Sequence, residues 1–330
     1  MTARVFISTI PFGAIDPQPV DALTAANLDF RINPLGRRLQ PEEVADAIGN
    51  SEIVIAGTEP ITAEVMAACP NLRAICRVGI GLDNVDLLAA RERNIAVSYT
   101  PDAPSAAVAE LAVGLMLDLS RHISRADHEI RNAHWQRNAG RRLAQSTVGV
   151  VGVGRIGGRV IRHLNGGFPG VRILANDPVR NPDFDDAVTW TDLDAIYEQC
   201  DIISLHVPLT LETRGIIGAA ELSRMRPDCI LVNTARGGII DERDLATALK
   251  DKRIAGAALD VFETEPYTGP LTQLDNAVLT CHLGSMTRDC RARMEIEATD
   301  EAIRYSRNAP FRNPVPESEY ELAANMMEAK

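Results

Sequence analysis

The sequence predicts an α/β fold organised on parallel, doubly wound sheets, and three observations carry the prediction. Short β-branched runs alternate with longer helical patterns along the chain. Several of those runs are apolar throughout instead of alternating, as strands covered on both faces require. A glycine-rich turn, Gly152-Val153-Gly154-Arg155-Ile156-Gly157, joins one run to a helix. This rhythm builds a sheet with helices on both sides, and 330 residues suffice for about two such domains.

Strands are expected at residues 5–10, 53–56, 74–76, 147–151, 172–176, 202–205, 230–233 and 278–280, each rich in Val, Ile or Leu. Helices are expected over 41–50, 106–123, 156–164 and 242–251, where apolar residues recur at helical spacing. The strongest helix begins at Ser105, after Pro101-Asp102-Ala103-Pro104, because prolines break the chain and then suit a helix N-terminus. It is apolar over most of its surface, which points to burial between domains or between subunits. The segment 314–330 is acidic and proline-led, and reads as either a short docking helix or a loose tail.

Composition excludes several classes. Hydrophobic residues make up 45% and charged residues 24%, which is ordinary for a globular protein and foreign to disordered, collagenous or disulfide-stapled chains. The net charge of −11 makes a poor nucleic-acid or anionic-membrane binder. It still leaves room for one small anion held by a few local arginines. No apolar run approaches the ~18 residues of a membrane span. The N-terminal run Val5-Phe6-Ile7-Ser8-Thr9-Ile10 is too short and too polar for a signal peptide and reads as a first strand. Six cysteines (Cys69, Cys76, Cys200, Cys229, Cys281 and Cys290) are scattered without a CxxC pair. They suit reduced thiols in the cytoplasm, and no cysteine–histidine spacing suggests a metal.

The glycine turn has the GxGxxG form between strand and helix. There the first glycine makes the turn, the second admits a pyrophosphate and the third lets helix and strand close up. The helix start offers unpaired N–H groups to the diphosphate. The next strand ends at Asp177, an acid placed to bind ribose hydroxyls and to disfavour a 2′-phosphate, so NAD is the expected cofactor. Arg180 close by would soften that preference.

Three later segments end strand-like runs: Asn233-Thr234-Ala235-Arg236-Gly237-Gly238, Asp260-Val261-Phe262-Glu263-Thr264-Glu265-Pro266, and Thr280-Cys281-His282-Leu283-Gly284. A nicotinamide enzyme acting on a 2-oxo or 2-hydroxy acid needs a cation for the carboxylate, an acid/base for the hydroxyl proton and a group that tunes it. Arg236 suits the first role, His282 the second and Glu265 the third. Alone, each would more often be a surface cation, a structural histidine or a loop acid.

With these stretches, and with Arg77-Val78-Gly79-Ile80-Gly81-Leu82-Asp83-Asn84, Val108-Ala109-Glu110-Leu111 and His206-Val207-Pro208-Leu209-Thr210, the chain resembles the D-2-hydroxyacid dehydrogenases, in their phosphoglycerate-dehydrogenase-like branch. The resemblance implies Arg236, Glu265 and His282 as the catalytic set. It implies a second clamp on the substrate carboxylate around Val78 and Gly79, with Arg77 nearby. It sets Gly152, Gly154, Arg155, Ile156, Gly157 and Asp177 along the pyrophosphate and ribose. His206, Val207, Pro208 and Thr213 would form a wall of the cofactor site, with Thr234, Ala235, Arg236, Asp260, His282 and Gly284 towards the nicotinamide. His206 would lend backbone and shape, not a base.

The resemblance also implies two Rossmann-like doubly wound domains, with an NAD-binding domain at 100–287 inserted into a discontinuous, flavodoxin-like substrate domain at 1–99 and 288–330. The active site would lie in the cleft between them. A homodimer is implied, formed through the long helix and an arm carrying Trp135. Cys281 stands where the family usually has proline, which reads as a packing change with an unreactive thiol. In the loop Gly57-Thr58-Glu59-Pro60 the Arg-Ser pair of phosphoglycerate enzymes is absent, and Glu59 has the wrong sign for an anion, although Arg37 and Arg38 add cations. The expected substrate is a small anionic 2-oxo/2-hydroxy acid, with a phosphate, phosphonate or second carboxylate allowed. The alternatives are a phosphite-type dehydrogenase and a non-catalytic, NAD-sensing interaction protein.

Overall fold

The computed structural model describes residues 3–328, so Met1, Thr2, Ala329 and Lys330, which fall within the expected domain and tail bounds, lie outside the described residues. The chain forms two compact units. The first runs to Pro104 and resumes at Ser285, and the second is Ser105–Gly284.

The first unit carries β1 (Arg4–Ile7), α1 (Gln18–Ala25), β2 (Asp29–Ile32), α2 (Val44–Ile48), β3 (Ile53–Ala56), α3 (Ala63–Ala68), β4 (Ala74–Arg77), α4 (Leu87–Glu92) and β5 (Ala96–Ser98). Its strands are parallel in the order β2-β1-β3-β4-β5. The winding reverses between β1 and β3, the point where such sheets bind ligands beyond the strand C-termini. β3 and β4 are buried at every position, as their unbroken apolar runs require. Thr62 and Asp86 start α3 and α4 by accepting the N–H groups of Val65 and Ala89.

The second unit carries α5 (Ser105–Arg121), α6 (Ile123–Arg131), β6 (Thr147–Val151), α7 (Arg155–Gly167), β7 (Arg172–Asn176), β8 (Thr189–Trp190), α8 (Leu193–Gln199), β9 (Ile202–Leu205), α9 (Ala219–Arg224), β10 (Ile230–Asn233), α10 (Glu242–Lys250), β11 (Gly256–Leu259) and β12 (Ala277–Leu279). The order β12-β11-β10-β9-β6-β7-β8 is the doubly wound Rossmann arrangement with an added edge strand. Ile203, Leu231 and Leu259 build the core on one face, and Val150, Val232 and Ala258 build it on the other.

One face of α5 is buried within its own unit, where Ala109, Ala112, Leu115 and Met116 pack with Val150 and Ile161. Against expectation, the helix stops at Arg121, because His122 takes a left-handed backbone (φ 56°) and redirects the chain into α6.

The chain then returns to the first unit with α11 (Arg288–Ser306) and α12 (Glu317–Glu328). The acidic tail is therefore a docked helix. Arg91 of α4 pairs with Glu317 at 2.7 Å and lies 3.7 Å from the Tyr320 ring centroid. β2, β5, β8 and β11 escaped the sequence reading. β2 is half exposed along its length, and β11 reads Gly-Ala-Ala-Leu, a run of small residues with weak strand preference.

Candidate active site

The turn after β6 is shaped by what its glycines leave out. Gly152 has φ 91°, and a Cβ there would lie 2.6 Å from the His206 carbonyl oxygen. A Cβ on Gly157 would run into the Gly152 carbonyl. Gly154, the N-cap of α7, faces open space, with no atom within 4 Å of where its Cβ would stand. The turn thus presents bare backbone and the first N–H groups of a 13-residue helix. Asp177 accepts the Val153 N–H at 2.7 Å on one oxygen and the Val179 N–H at 2.8 Å on the other, so it pins the turn and keeps lone pairs for a further donor. The buried Thr234 hydroxyl, just past β10, has no partner among the described residues. This cradle without Cβ atoms, with its acid and its orphaned hydroxyl, fits a dinucleotide.

His206 lies against the glycine turn, its backbone and Cβ next to Gly152 and Gly157. Its N–H donates to the Val151 carbonyl at 2.7 Å, its Nε2 lies 2.9 Å from Ser204 Oγ, and its Nδ1 is buried without a partner among the described residues. Burial pushes the imidazole down to about 4, so the ring is neutral at ordinary pH. Thr213 spends its hydroxyl on the Pro208 carbonyl, 2.6 Å away, which closes the 208–213 turn.

His282 and Glu265 meet. The imidazole Nδ1 is 2.9 Å from Glu265 Oε2 and 3.2 Å from Oε1, and 45% of the histidine side chain remains exposed. His282 holds a left-handed backbone (φ 56°), which is costly for a residue with a Cβ. Asp260 over-determines it: its carbonyl takes the His282 N–H at 2.9 Å, Oδ1 takes Leu283 N–H at 2.7 Å and Oδ2 takes Gly284 N–H at 2.8 Å. Asp260 is wholly buried, so it shapes the loop that presents the imidazole.

Arg236 stands on the turn after β10, half-buried. Asn233 builds that turn by accepting the Ala235 N–H at 3.0 Å and donating to the Arg236 carbonyl at 2.8 Å. A Cβ on Gly237 would strike the backbone of Phe262, so this turn packs closely on the loop that holds Glu265. Glu242, at the start of α10, accepts the Glu263 N–H at 2.7 Å. Burial first, and then the carboxylates of Glu263, Asp241 and Glu265, raise its pKa. Sequence reasoning missed Glu242 and Asn233, whose only signal is their place beside Arg236.

In the first unit, the expected clamp at Val78 and Gly79 needs correction. The Val78 N–H donates to the Ala56 carbonyl at 2.9 Å and the Gly79 N–H to Thr100 Oγ1 at 2.8 Å, so both amides are spent. Arg77 is 7% exposed, with Nε 3.0 Å from Asn84 Oδ1 and a further bond to the Val78 carbonyl. Cys281 is exposed, so it fills no core position. A cavity of about 1050 Å³ opens at the other end of the second unit's sheet, by Asp201, Ile230 and Gly256, away from this chemistry.

A Rossmann sheet with a bare glycine turn, joined to a histidine–carboxylate pair and an arginine on neighbouring strand ends, defines a nicotinamide-dependent oxidoreductase. Residues 113–284 match the NAD binding domain of the D-isomer specific 2-hydroxyacid dehydrogenases. The chain is 40% identical over 296 residues to a hydroxypyruvate reductase of Thermotoga maritima, covering 88% of this chain and 96% of that one. It is 43% identical over 248 residues to a glyoxylate reductase of Thermofilum pendens, covering 72% and 73%. The crystal structure of TT0316 protein from Thermus thermophilus superposes with a TM-score of 0.87 at 32% identity, covering 95% of this chain and all of that one. The chain belongs to the D-isomer specific 2-hydroxyacid dehydrogenase family. It is an NAD-dependent dehydrogenase, and among its described residues no helix is long and apolar enough to cross a membrane.

Proposed function

We propose that the protein interconverts a small 2-oxo acid and its D-2-hydroxy acid, with His282 as general acid/base, Glu265 as its orienting carboxylate and Arg236 as the cation for the substrate carboxylate. The pairing of His282 Nδ1 with Glu265 at 2.9 Å carries the reading. With Nδ1 held there, Nε2 is the nitrogen left to exchange a proton with substrate oxygen. NADH, when bound, supplies the hydride. His282 Nε2–H then gives its proton to the carbonyl oxygen as charge develops, and takes it back in the oxidative direction. Glu265 fixes the ring plane through its contact with Nδ1. Arg236, whose Nη1 donates to the Ala235 carbonyl at 2.6 Å, carries a planar guanidinium of the shape that matches a carboxylate.

We assign the cofactor to the unit Ser105–Gly284. We also infer a homodimer. Trp135 is 85% exposed and Ile130 58%, an apolar arm of the kind that a second copy covers. Six unpaired thiols suit the cytoplasm.

The test is NADH oxidation with glyoxylate, hydroxypyruvate and related 2-oxo acids. Turnover of at least one is expected, and turnover of none would sink the proposal. His282→Ala should lower kcat by about 10²- to 10⁴-fold, and Arg236→Ala should chiefly raise KM.

A further inference from the structure

One carboxylate beside the arginine turn has no part in the chemistry above. Glu242 is half-buried at the first position of α10. The helix does not need it as a cap, because Asp241 already accepts the N–H groups of Arg243 and Asp244, each at 2.9 Å. Its surroundings work against its charge. Burial and the carboxylates of Glu263, Asp241 and Glu265 raise its pKa, and the Glu263 N–H opposes them.

What the side chain holds is a peptide. Its Oε1 accepts the Glu263 N–H at 2.7 Å, a short contact of the charge-assisted kind. Gly237 closes on the same peptide, since a Cβ there would run into Phe262 C and Glu263 N. The Phe262 ring is anchored beside it, stacked on Tyr267 with centroids 4.2 Å apart. The Phe262–Glu263 peptide is thus gripped between α10 and the turn that carries Arg236.

That peptide is one residue from the acid/base pair. The Phe262 N–H donates to Glu265 Oε1 at 3.2 Å, and Glu265 Oε2 lies 2.9 Å from His282 Nδ1. Every group in this chain of contacts belongs to the unit Ser105–Gly284.

We propose that Glu242 is a positioning residue for the acid/base pair. By holding the peptide after Phe262 it keeps the Phe262 N–H on Glu265 Oε1, which leaves Oε2 aimed at His282. The inference rests on the acid/base reading above and adds the residue that keeps its carboxylate in place. The grip requires an acceptor of the right reach, and it does not require a charge.

Steady-state kinetics with NADH test it, on glyoxylate or hydroxypyruvate, whichever the wild type reduces faster. Glu242→Asp keeps the charge and shortens the reach by one methylene. It should lower kcat by about tenfold or more and leave KM for NADH within about twofold. Glu242→Gln loses the charge and keeps an acceptor for the Glu263 N–H, so kcat should stay within about threefold of the wild type. In a Glu265→Ala background, Glu242→Asp should change kcat by less than about twofold, because the group it acts through is gone.

A Glu242→Asp enzyme with wild-type kcat overturns the proposal, and so does a loss that falls on KM for NADH or persists in full without Glu265. A loss of about tenfold or more in Glu242→Gln also overturns it, by assigning the effect to charge. Should Glu242→Asp not fold, Glu242→Gln decides alone, with wild-type kcat sustaining the proposal. Wild-type turnover with an unmoved Glu242→Asp defeats only this inference, whereas no turnover of any 2-oxo acid by the wild type defeats the acid/base reading with it.

Discussion

The two sheets share one architecture and treat their first loop in opposite ways. After β6 the turn is stripped of side chains, and Gly154 faces open space at the start of α7. After β1 the loop is filled and braced. Arg291 of α11 donates to Thr9 Oγ1 at 2.6 Å, to the Pro11 carbonyl at 2.8 Å and to Glu295 at 2.6 Å, and Glu295 takes the Gly13 N–H at 2.8 Å. A parallel switch point is therefore not in itself a dinucleotide site. The glycines decide, by leaving helix N–H groups and space for an anion in one loop, while the other spends its groups on its own chain.

Breaking the brace should have the largest effect on stability. Arg291 and Glu295 are buried, at 7% and 1% exposure. Glu295→Ala leaves an unpaired buried guanidinium and an unanswered Gly13 N–H, and should cost about 3–5 kcal/mol. Urea denaturation at pH 7 measures it, and a loss under about 1 kcal/mol would mean that the pair is not shielded from water.

The histidine beside the glycine turn, His206, should show a smaller effect that depends on pH. Folded His206 stays neutral down to about pH 4, while in the unfolded chain it takes a proton near 6.5. The unfolded state then binds more protons between those values, so stability should fall as pH drops from 6.5 to 4. The whole shift is at most on the order of 3 kcal/mol. His206→Asn should flatten the fall, and an unchanged slope in chemical denaturation between about pH 7 and pH 4.5 would assign the acid sensitivity to other groups.

Much of this contrast could be read before the structure, though unevenly. The glycine turn, Asp177 and the strands of the second unit other than β8 and β11 were legible because buried parallel strands are unbroken apolar runs and each glycine has its own geometric reason. Arg236, Glu265 and His282 were legible because each sits where a strand ends. What escaped was long-range: Asp260 was read as a cofactor neighbour, yet its carboxylate builds the loop under His282. The clamp at Val78 and Gly79 failed because sequence does not show that Ala56 and Thr100 already take those amides. Glu59 read as a charge of the wrong sign for an anion, and nothing local marks it as buried.

Gly154→Ser should have the smallest effect on stability, and it isolates what the empty turn is for. Serine is a better N-cap than most residues, and no protein atom lies within 4 Å of the Cβ position, so the melting temperature should hold or rise slightly. The space that a serine would fill is the space where a pyrophosphate must approach backbone. NADH affinity, followed by fluorescence titration, should therefore drop by about tenfold or more while the fold is untouched. Gly157→Ala would lose both together, because its Cβ meets the Gly152 carbonyl. If Gly154→Ser bound NADH as the wild type does, the open space after β6 would be a packing accident, and the contrast between the two loops would lose its functional meaning.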